Sequence, residues 1–353
     1  MKRNLIAAVL CTSALVALAQ EPKVSNTQFK IEPIGGNLTA TVDRFRVSSE
    51  QLWLGYQVPA LPQSHLSTCS NWSNSSQVDD GCCGEYRLEE SNNYGMNRND
   101  KTPAVQNIYI LLRYEHGELS RIRPVAAGCH LNASGVAFTW ITGVSPEESI
   151  SLLRRLAQEP SSDHSGIIDT ALLSIGYHAA PSATQTLLQI ASSNAPMHTR
   201  EQASFWLGVM RGHDGYLALK SLENTTTEAQ LKEKLPFDFS QNSDSAAEEE
   251  LLHMAKFDSD SKVREQALFW LAQKAGKKAA AAITDAIQND PETAVKKKAV
   301  FALSQLPKDE GVPRLIHVAD TNANPVVRKE AIFWLGQSKD SRALAYLEEV
   351  LKR

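Results

Sequence analysis

The sequence predicts an α+β multidomain chain, with a C-terminal all-α solenoid of stacked helical hairpins behind a small, disulfide-linked, mostly β domain. Three observations carry this. Phe205, Phe237, Phe269, Phe301 and Phe333 stand 32 residues apart without slippage. Arg200, Lys232, Arg264, Lys296 and Arg328 keep the same step, as do Leu207, Phe239, Leu271, Leu303 and Leu335. A fixed period of about 20–50 residues marks a stack of one structural unit. The region before residue 146 lacks the period and holds all the cysteines.

Residues 1–19 read as a signal peptide. Lys2-Arg3 form the charged n-region, Leu5–Ala17 is apolar, and Ala17-Leu18-Ala19 gives the A-x-A pattern before Gln20. The apolar stretch is too short for a membrane span. Leu10 before Cys11 argues against a lipoprotein site, and no second apolar run of spanning length follows. The mature chain is expected to be exported, to the periplasm or the exterior, with no membrane span. Losing Lys2 and Arg3 takes the formal charge from −4 to −6, which gives no support for nucleic-acid binding.

Residues 20–145 are expected to fold as a mostly β domain of about five to seven strands. Phe29–Ile34, Ala40–Val47, Leu52–Val58 and Val136–Ile141 read as strands, and Ile108–Tyr114 with Glu118–Val125 as a hairpin around Glu115-His116-Gly117. The polar stretch Ser64–Thr102 between them is either functional or poorly ordered. Once Cys11 leaves with the signal, Cys69, Cys82, Cys83 and Cys129 remain, an even set that reads as two disulfides in an oxidising compartment. Of three pairings, the adjacent Cys82–Cys83 bridge would be strained, which favours one of that pair with Cys69 and the other with Cys129. A four-thiolate zinc site is the rival, without the usual C-x-x-C spacing.

Residues 146–353 are expected to hold the solenoid: a lone amphipathic helix, Pro146–Gln158, then about six repeats. Good units begin near 194, 226, 258, 290 and 322, and a weaker one near 162. In the unit Asp258–Asn289, Val263, Ala267, Trp270 and Leu271 fall on one helical face, widened by Leu268 and Phe269. A helix apolar almost all round is buried on more than one side. Asn194, Thr226, Asp258, Asp290 and Asn322 have N-cap chemistry, with Pro291 at a first helical position. The second helices carry Leu187, Leu219, Leu251, Ile283, Leu315 and Leu347 in step, with Ile190, Leu222, Met254, Val318 and Val350 three residues on. Pro236 and Asp238 stand where Leu268 and Trp270 stand one repeat later, which predicts a kinked or shortened helix.

The segments Val263-Arg264-Glu265-Gln266-Ala267-Leu268-Phe269-Trp270-Leu271 and Val327-Arg328-Lys329-Glu330-Ala331-Ile332-Phe333-Trp334-Leu335-Gly336 resemble the first helix of HEAT repeats, and most closely the short variety of phycobilisome-lyase-like HEAT proteins. The resemblance spans roughly residues 146–353. It implies a right-handed solenoid with second helices on the concave side, and no particular reaction.

Three in-step series have both a functional and a packing reading. Trp206, Trp270 and Trp334, 64 residues apart, suit binding hot spots but sit at a core-like phase beside Phe and Leu, so packing is preferred. The Arg/Lys series reads as an inter-repeat network reaching the capping Asp or Asn of a neighbour, rather than a stripe for an acidic partner. Gln241, Gln273, Gln305 and Gln337 form a row of amides suited to extended backbone, though helix-end carbonyls are the preferred partner. The five phenylalanines are taken as repeat packing.

Catalytic signatures are absent from the sequence. There is no H-E-x-x-H, no G-x-S-x-G and no G-x-x-x-x-G-K-[ST]. HEAT-type metal hydroxylases place His-Glu pairs at matching sites in several repeats, and this chain has no His-Glu dipeptide. The expected function is a non-enzymatic scaffold that binds a protein or peptide, without cofactor or metal. Lys220, Leu252, Thr284, Ile316 and Glu348 share one second-helix register yet diverge, as a specialised contact surface would. The alternative is a lyase, isomerase or metal-dependent enzyme on the same scaffold, an analogy of fold alone.

Overall fold

The computed structural model describes residues 21–47, 50–62, 64, 66, 85–90, 104–159 and 165–352. The signal-peptide segment and Cys69, Cys82 and Cys83 lie outside them.

The N-terminal region is a five-stranded sheet in the order β2-β8-β3-β5-β6. These are Phe29–Pro33 (β2), Leu52–Pro59 (β3), Asn107–Glu115 (β5), Glu118–Ala126 (β6) and Ala137–Thr142 (β8). Two-residue strands Val24–Ser25 (β1), Tyr86–Arg87 (β4) and Leu131–Asn132 (β7) make a second, small parallel sheet. The β5–β6 hairpin turns at His116 and Gly117, both at positive φ (52° and 81°), as a two-residue type I′ turn requires. β8 pairs in parallel with β2 and β3, and β5 runs antiparallel to β3 and β6.

One expected strand is a helix. Leu38–Arg46 forms α1, started by Asn37, whose side chain accepts from the Ala40 N–H at 2.8 Å. The β-branched Thr39, Thr41 and Val42 favour a strand locally, but Leu38, Thr41 and Val42 fall at i, i+3 and i+4 and bury one helical face. The cap and the tertiary burial outweigh a weak residue preference.

β3 and β5 are buried on both faces. Helices cover one face. On the other, Glu89 accepts from Trp53 Nε1 at 2.7 Å and pairs with buried Arg113 at 2.9 Å.

The solenoid opens with α2, Pro146–Gln158, bearing a complete capping box between Ser145 and Glu148. Six hairpins follow: α3 Ser165–Tyr177 with α4 Ser182–Ala191, α5 Met197–Met210 with α6 Gly212–Thr225, and α7 Ala229–Gln241 with α8 Ser245–Phe257. Then come α9 Ser261–Ala275 with α10 Ala280–Asn289, α11 Thr293–Gln305 with α12 Lys308–Thr321, and α13 Pro325–Gln337 with α14 Ser341–Lys352. Adjacent first helices (α5, α7, α9, α11, α13) pack on one another more extensively than adjacent second helices do.

The in-step polar residues do not start helices. Thr226, Asp258, Asp290 and Asn322 each follow the last residue of a second helix. Their side-chain oxygens accept from the backbone N–H two residues on, at 3.3, 2.8, 2.9 and 2.9 Å. The next helix begins three residues after each of them, with Asp260 and Asn324 as side-chain caps of α9 and α13. Asn194 lies between α4 and α5, and Pro291 lies ahead of α11. Asp, Asn and Thr serve N-caps and Asx or ST turns through the same short polar side chain, so composition alone places the boundary two residues early.

α7 is not shortened by Pro236. It runs for 13 residues through the proline, which is buried. Packing against α5 and α9 holds it together where an isolated helix would break.

Sheet and solenoid share one continuous core. α2 packs on β3 and α3 on β6. Beyond β3 the chain pairs with the α3–α4 turn: Leu61 N–H donates to the Tyr177 carbonyl (2.7 Å) and Ala179 N–H to the Pro59 carbonyl (3.1 Å). The sheet thereby closes the N-terminal end of the stack, whose first hairpin cannot bury its own outer face.

Candidate interaction surfaces

The first helices carry two in-step rows with different fates. Leu207, Phe239, Leu271, Leu303 and Leu335 are fully buried. The phenylalanines sit at the solvent edge, stacked from rung to rung. Phe205 and Phe237 are parallel at 5.7 Å, as are Phe269 and Phe301. Trp270 bridges Phe237 and Phe269 at 4.6 and 4.8 Å, and Trp334 bridges Phe301 and Phe333 at 4.8 and 5.1 Å. Trp206 packs on Phe205 at 4.8 Å. Lys234 lies over Phe205 and Phe237, and Lys298 over Phe269 and Phe301. The physical period of this edge is therefore 64 residues, with an indole in alternate rungs and a lysine between. Phe333 is the most open of the five, 53 % exposed.

The cationic ladder is spent on helix ends. Arg200 donates to the Ala191 carbonyl (3.0 Å), Lys296 to that of Gln288 (2.8 Å) and Arg328 to that of Asn322 (2.7 Å). Each reaches the C-terminal end of the preceding second helix, where unpaired carbonyls and the helix dipole favour a cation. Arg264 also forks onto Asp290 of the following turn, at 2.8 and 3.0 Å. Lys232 makes no such bond among the described residues.

Among the described residues, two of the glutamines bond to serine hydroxyls. Gln241 and Gln305 donate to the neighbouring hydroxyls of Ser240 and Ser304, at 2.9 and 3.0 Å, and those serines donate to the carbonyls of Phe237 and Phe301. Gln273, Gln305 and Gln337 are exposed. Two recesses open beside them. One, of about 480 Å³, lies between the ends of α7 and α9 and is lined by Gln241, Trp270, Gln273 and Lys274. The other, of about 340 Å³, lies between the ends of α11 and α13 and the start of α12. It has Leu303, Leu306, Val312, Leu315 and Trp334 on its floor and Gln305, Gln337, Lys308 and Lys339 around it. Their aligned residues are 64 apart. The amide spacing was legible in the sequence. The recesses were not, because they depend on how the helix ends splay.

The second-helix register Lys220, Leu252, Thr284, Ile316 and Glu348 is uneven. Lys220 bridges to Glu250 on the next second helix (2.8 Å) and to Glu223 (3.0 Å). Leu252 and Ile316 are half-buried against the core, the Thr284 hydroxyl donates to the Ala280 carbonyl, and Glu348 is exposed.

Two buried ionisable groups stand out. Asp238, at the tryptophan register, is fully buried at the α5–α7 joint. It accepts from Ser204 Oγ at 2.7 Å, while its other oxygen has no hydrogen-bond partner among the described residues. Burial pushes its carboxyl up to about 7. The helices approach closely there: a Cβ on Gly208 would lie 2.3 Å from the Asp238 carbonyl oxygen.

His178, at the sheet–solenoid junction, forms the second. Its Nδ1 lies 2.7 Å from the Ser174 carbonyl and its Nε2 2.8 Å from Ser149 Oγ. The carbonyl only accepts, so Nδ1 carries the proton and Nε2 accepts from the serine. The Tyr56 hydroxyl stands 2.9 Å beyond. Burial holds the imidazole down to about 4. The pair has the spacing of a nucleophile and its base, but Ser149, His178 and Tyr56 are all fully buried, so a substrate has no approach to them. Arg211 closes the α3 end beside them, donating to the carbonyls of Gly176, His178 and Ala180.

Stacked antiparallel hairpins with in-step core leucines and arginines on preceding helix ends define an α-α solenoid. The family model for HEAT repeats matches residues 247–332 and 280–353, and the chain carries HEAT repeats. Similar solved structures include human deoxyhypusine hydroxylase in complex with glycerol, at 16% identity over 58% of this chain and 90% of that one, with a TM-score of 0.31. YibA of Escherichia coli is similar at 18% over 59% and 79%, with a TM-score of 0.37. The complex of CpcE and CpcF of phycocyanin lyase from Nostoc sp. PCC7120 is similar at 16% over 60% and 88%, with a TM-score of 0.30. No curated protein matches. At these identities and scores the likenesses assign no activity to this chain. Among the described residues no helix is long and apolar enough to cross a membrane.

Proposed function

We propose that this chain is an exported, non-enzymatic scaffold that binds a protein or peptide partner along its second helices, through the ridge of Lys220, Leu252, Thr284, Ile316 and Glu348. The observation that carries this is the division of labour in the repeats. The in-step leucines are buried in packing and the arginines are bonded to helix ends, whereas the ridge residue changes chemistry at every rung. A solenoid built this way presents an extended surface and acts through what it holds.

The cysteine set supports the exported compartment. Cys129 is buried, and this reading pairs it and Cys69 with Cys82 and Cys83 in two bridges. Cell fractionation with thiol titration of the purified chain tests it: free thiols on all four cysteines overturn export to an oxidising space. For binding, capture from an envelope extract is compared between wild type and a Lys220→Glu, Glu348→Lys variant. Retention of the same partner at undiminished yield by the variant rules the ridge out.

A further inference from the structure

The two recesses open at the first-helix ends and have the makings of a second site. Each is built alike: a Ser-Gln pair closes one first helix, and the next first helix brings a tryptophan and a second glutamine. The Ser240 and Ser304 hydroxyls are fixed on the carbonyls of Phe237 and Phe301, so in each recess one amide is held in a set orientation before any ligand arrives.

Gln273 and Gln337 are exposed and make no hydrogen bond among the described residues. A primary amide offers one donor face and one acceptor face, the complement of a peptide group. The α11–α13 recess adds an apolar floor beneath Lys308 and Lys339. Both lysines are exposed, and neither is in a salt bridge among the described residues. In the α7–α9 recess the lysine is engaged instead, Lys274 donating to the Ser240 carbonyl at 2.9 Å. The two recesses thus share their amides and differ in what they ask of a side chain.

The spacing fits one strand. Packed helices lie about 8–10 Å apart, which puts recesses two rungs apart at about 16–20 Å. An extended chain, rising about 3.3 Å per residue, crosses that gap in about five or six residues. A neutral glycan has no charge to offer the two lysines.

We propose that the two recesses form a bipartite site for a single extended peptide segment, with an apolar side chain next to a carboxylate seated between α11 and α13. This rests on reading the solenoid as a protein binder, but uses the first-helix ends in place of the second-helix ridge.

The test is selection from a phage-displayed random peptide library, about twelve residues long so that both recesses are spanned with flanks. Selected peptides are then synthesised and titrated by fluorescence polarisation. The expected result is enrichment of peptides pairing an apolar residue with an adjacent Asp or Glu. Their affinity should fall about tenfold in a Gln305→Ala, Gln337→Ala variant, fall further as salt rises, and fall in Lys339→Glu. Thermal melts of the variants should match wild type, since all three positions are exposed. No enrichment, or selected peptides that bind these variants within about twofold of wild type, overturns the proposal, as does competition by cellohexaose. If Glu348→Lys removes peptide binding while the glutamine variants keep it, the ridge reading stands and this one falls.

Discussion

At the sheet–solenoid junction a fully buried histidine is held neutral, and at the α5–α7 joint a fully buried aspartate is half satisfied. The histidine closes a polar chain in which Ser174, Ser149 and Tyr56 all have partners. The aspartate has one hydroxyl and one bare oxygen. Both sit where the repeat pattern is locally broken: one where a sheet replaces a preceding hairpin, the other where an acid replaces an indole. The difference teaches how each break is tolerated. A complete hydrogen-bond set lets the junction be rigid at neutral pH, whereas an incomplete one leaves the joint dependent on a proton.

Linkage makes the two regions respond to acid in opposite senses. The unfolded chain protonates His178 near 6.5, but the fold admits that proton only near 4. The junction is therefore fully stable above 6.5 and loses stability as pH falls from 6.5 to 4. The fold holds a proton on Asp238 up to about 7, whereas the unfolded chain releases it near 3.8. The joint is therefore at its most stable below 3.8 and loses stability as pH rises from 3.8 to 7. Each interval corresponds to about 3–4 kcal/mol by linkage. In a solenoid, stability is nearly a sum of nearest-neighbour terms, so the two regions are separable by amide hydrogen exchange measured against pH.

The largest expected effect is at the joint. Asp238→Asn should stabilise the chain by up to about 4 kcal/mol at pH 8 and change little at pH 4, read as chemical denaturation at both values. An equal shift at both pH values breaks the comparison, because the gain would not be electrostatic. At the junction, His178→Gln keeps a donor and an acceptor while removing the titration. The protection free energy of the junction amides, read by hydrogen exchange, should become flat between pH 6.5 and 4, where wild type declines by about 3 kcal/mol. A persisting acid decline would place the sensitive group elsewhere. Gly208→Ala sharpens the joint by sterics alone: its Cβ meets the Asp238 carbonyl oxygen, and about 1–3 kcal/mol should be lost at every pH. The smallest effect is at Lys220, whose bridge to Glu250 is partly solvated. Lys220→Met should cost under about 1 kcal/mol, so a larger loss in thermal melts would make the ridge structural.

The sequence carried the repeat further than the boundaries within it. The phase of Leu207, Phe239, Leu271, Leu303 and Leu335 identified their burial, because a helix sandwiched between neighbours repeats its apolar contacts at every step. The polar series failed by two residues, since Asp258 and its counterparts close one helix where Asp260 opens the next. Ala40–Val47 was misread because its pattern of β-branched residues hid an Asn37 cap. The glutamine row was visible as spacing, but the serine hydroxyls that hold Gln241 and Gln305 were not, because a helix-end carbonyl and a neighbouring serine are equally near in sequence.

The 32-residue period alone determined that the C-terminal part is a stack of hairpins, because only a structure in which each unit meets an identical neighbour keeps apolar positions in strict step. It also determined which residues are absorbed in packing. Only the tertiary structure decided that the sheet seals the first hairpin and that α7 survives its proline. It alone set Asp238 and His178 out of water, and opened recesses at alternate first-helix ends. Those outcomes depend on contacts between elements distant in sequence, and on the space left when helices of unequal side chains pack, which no local pattern records.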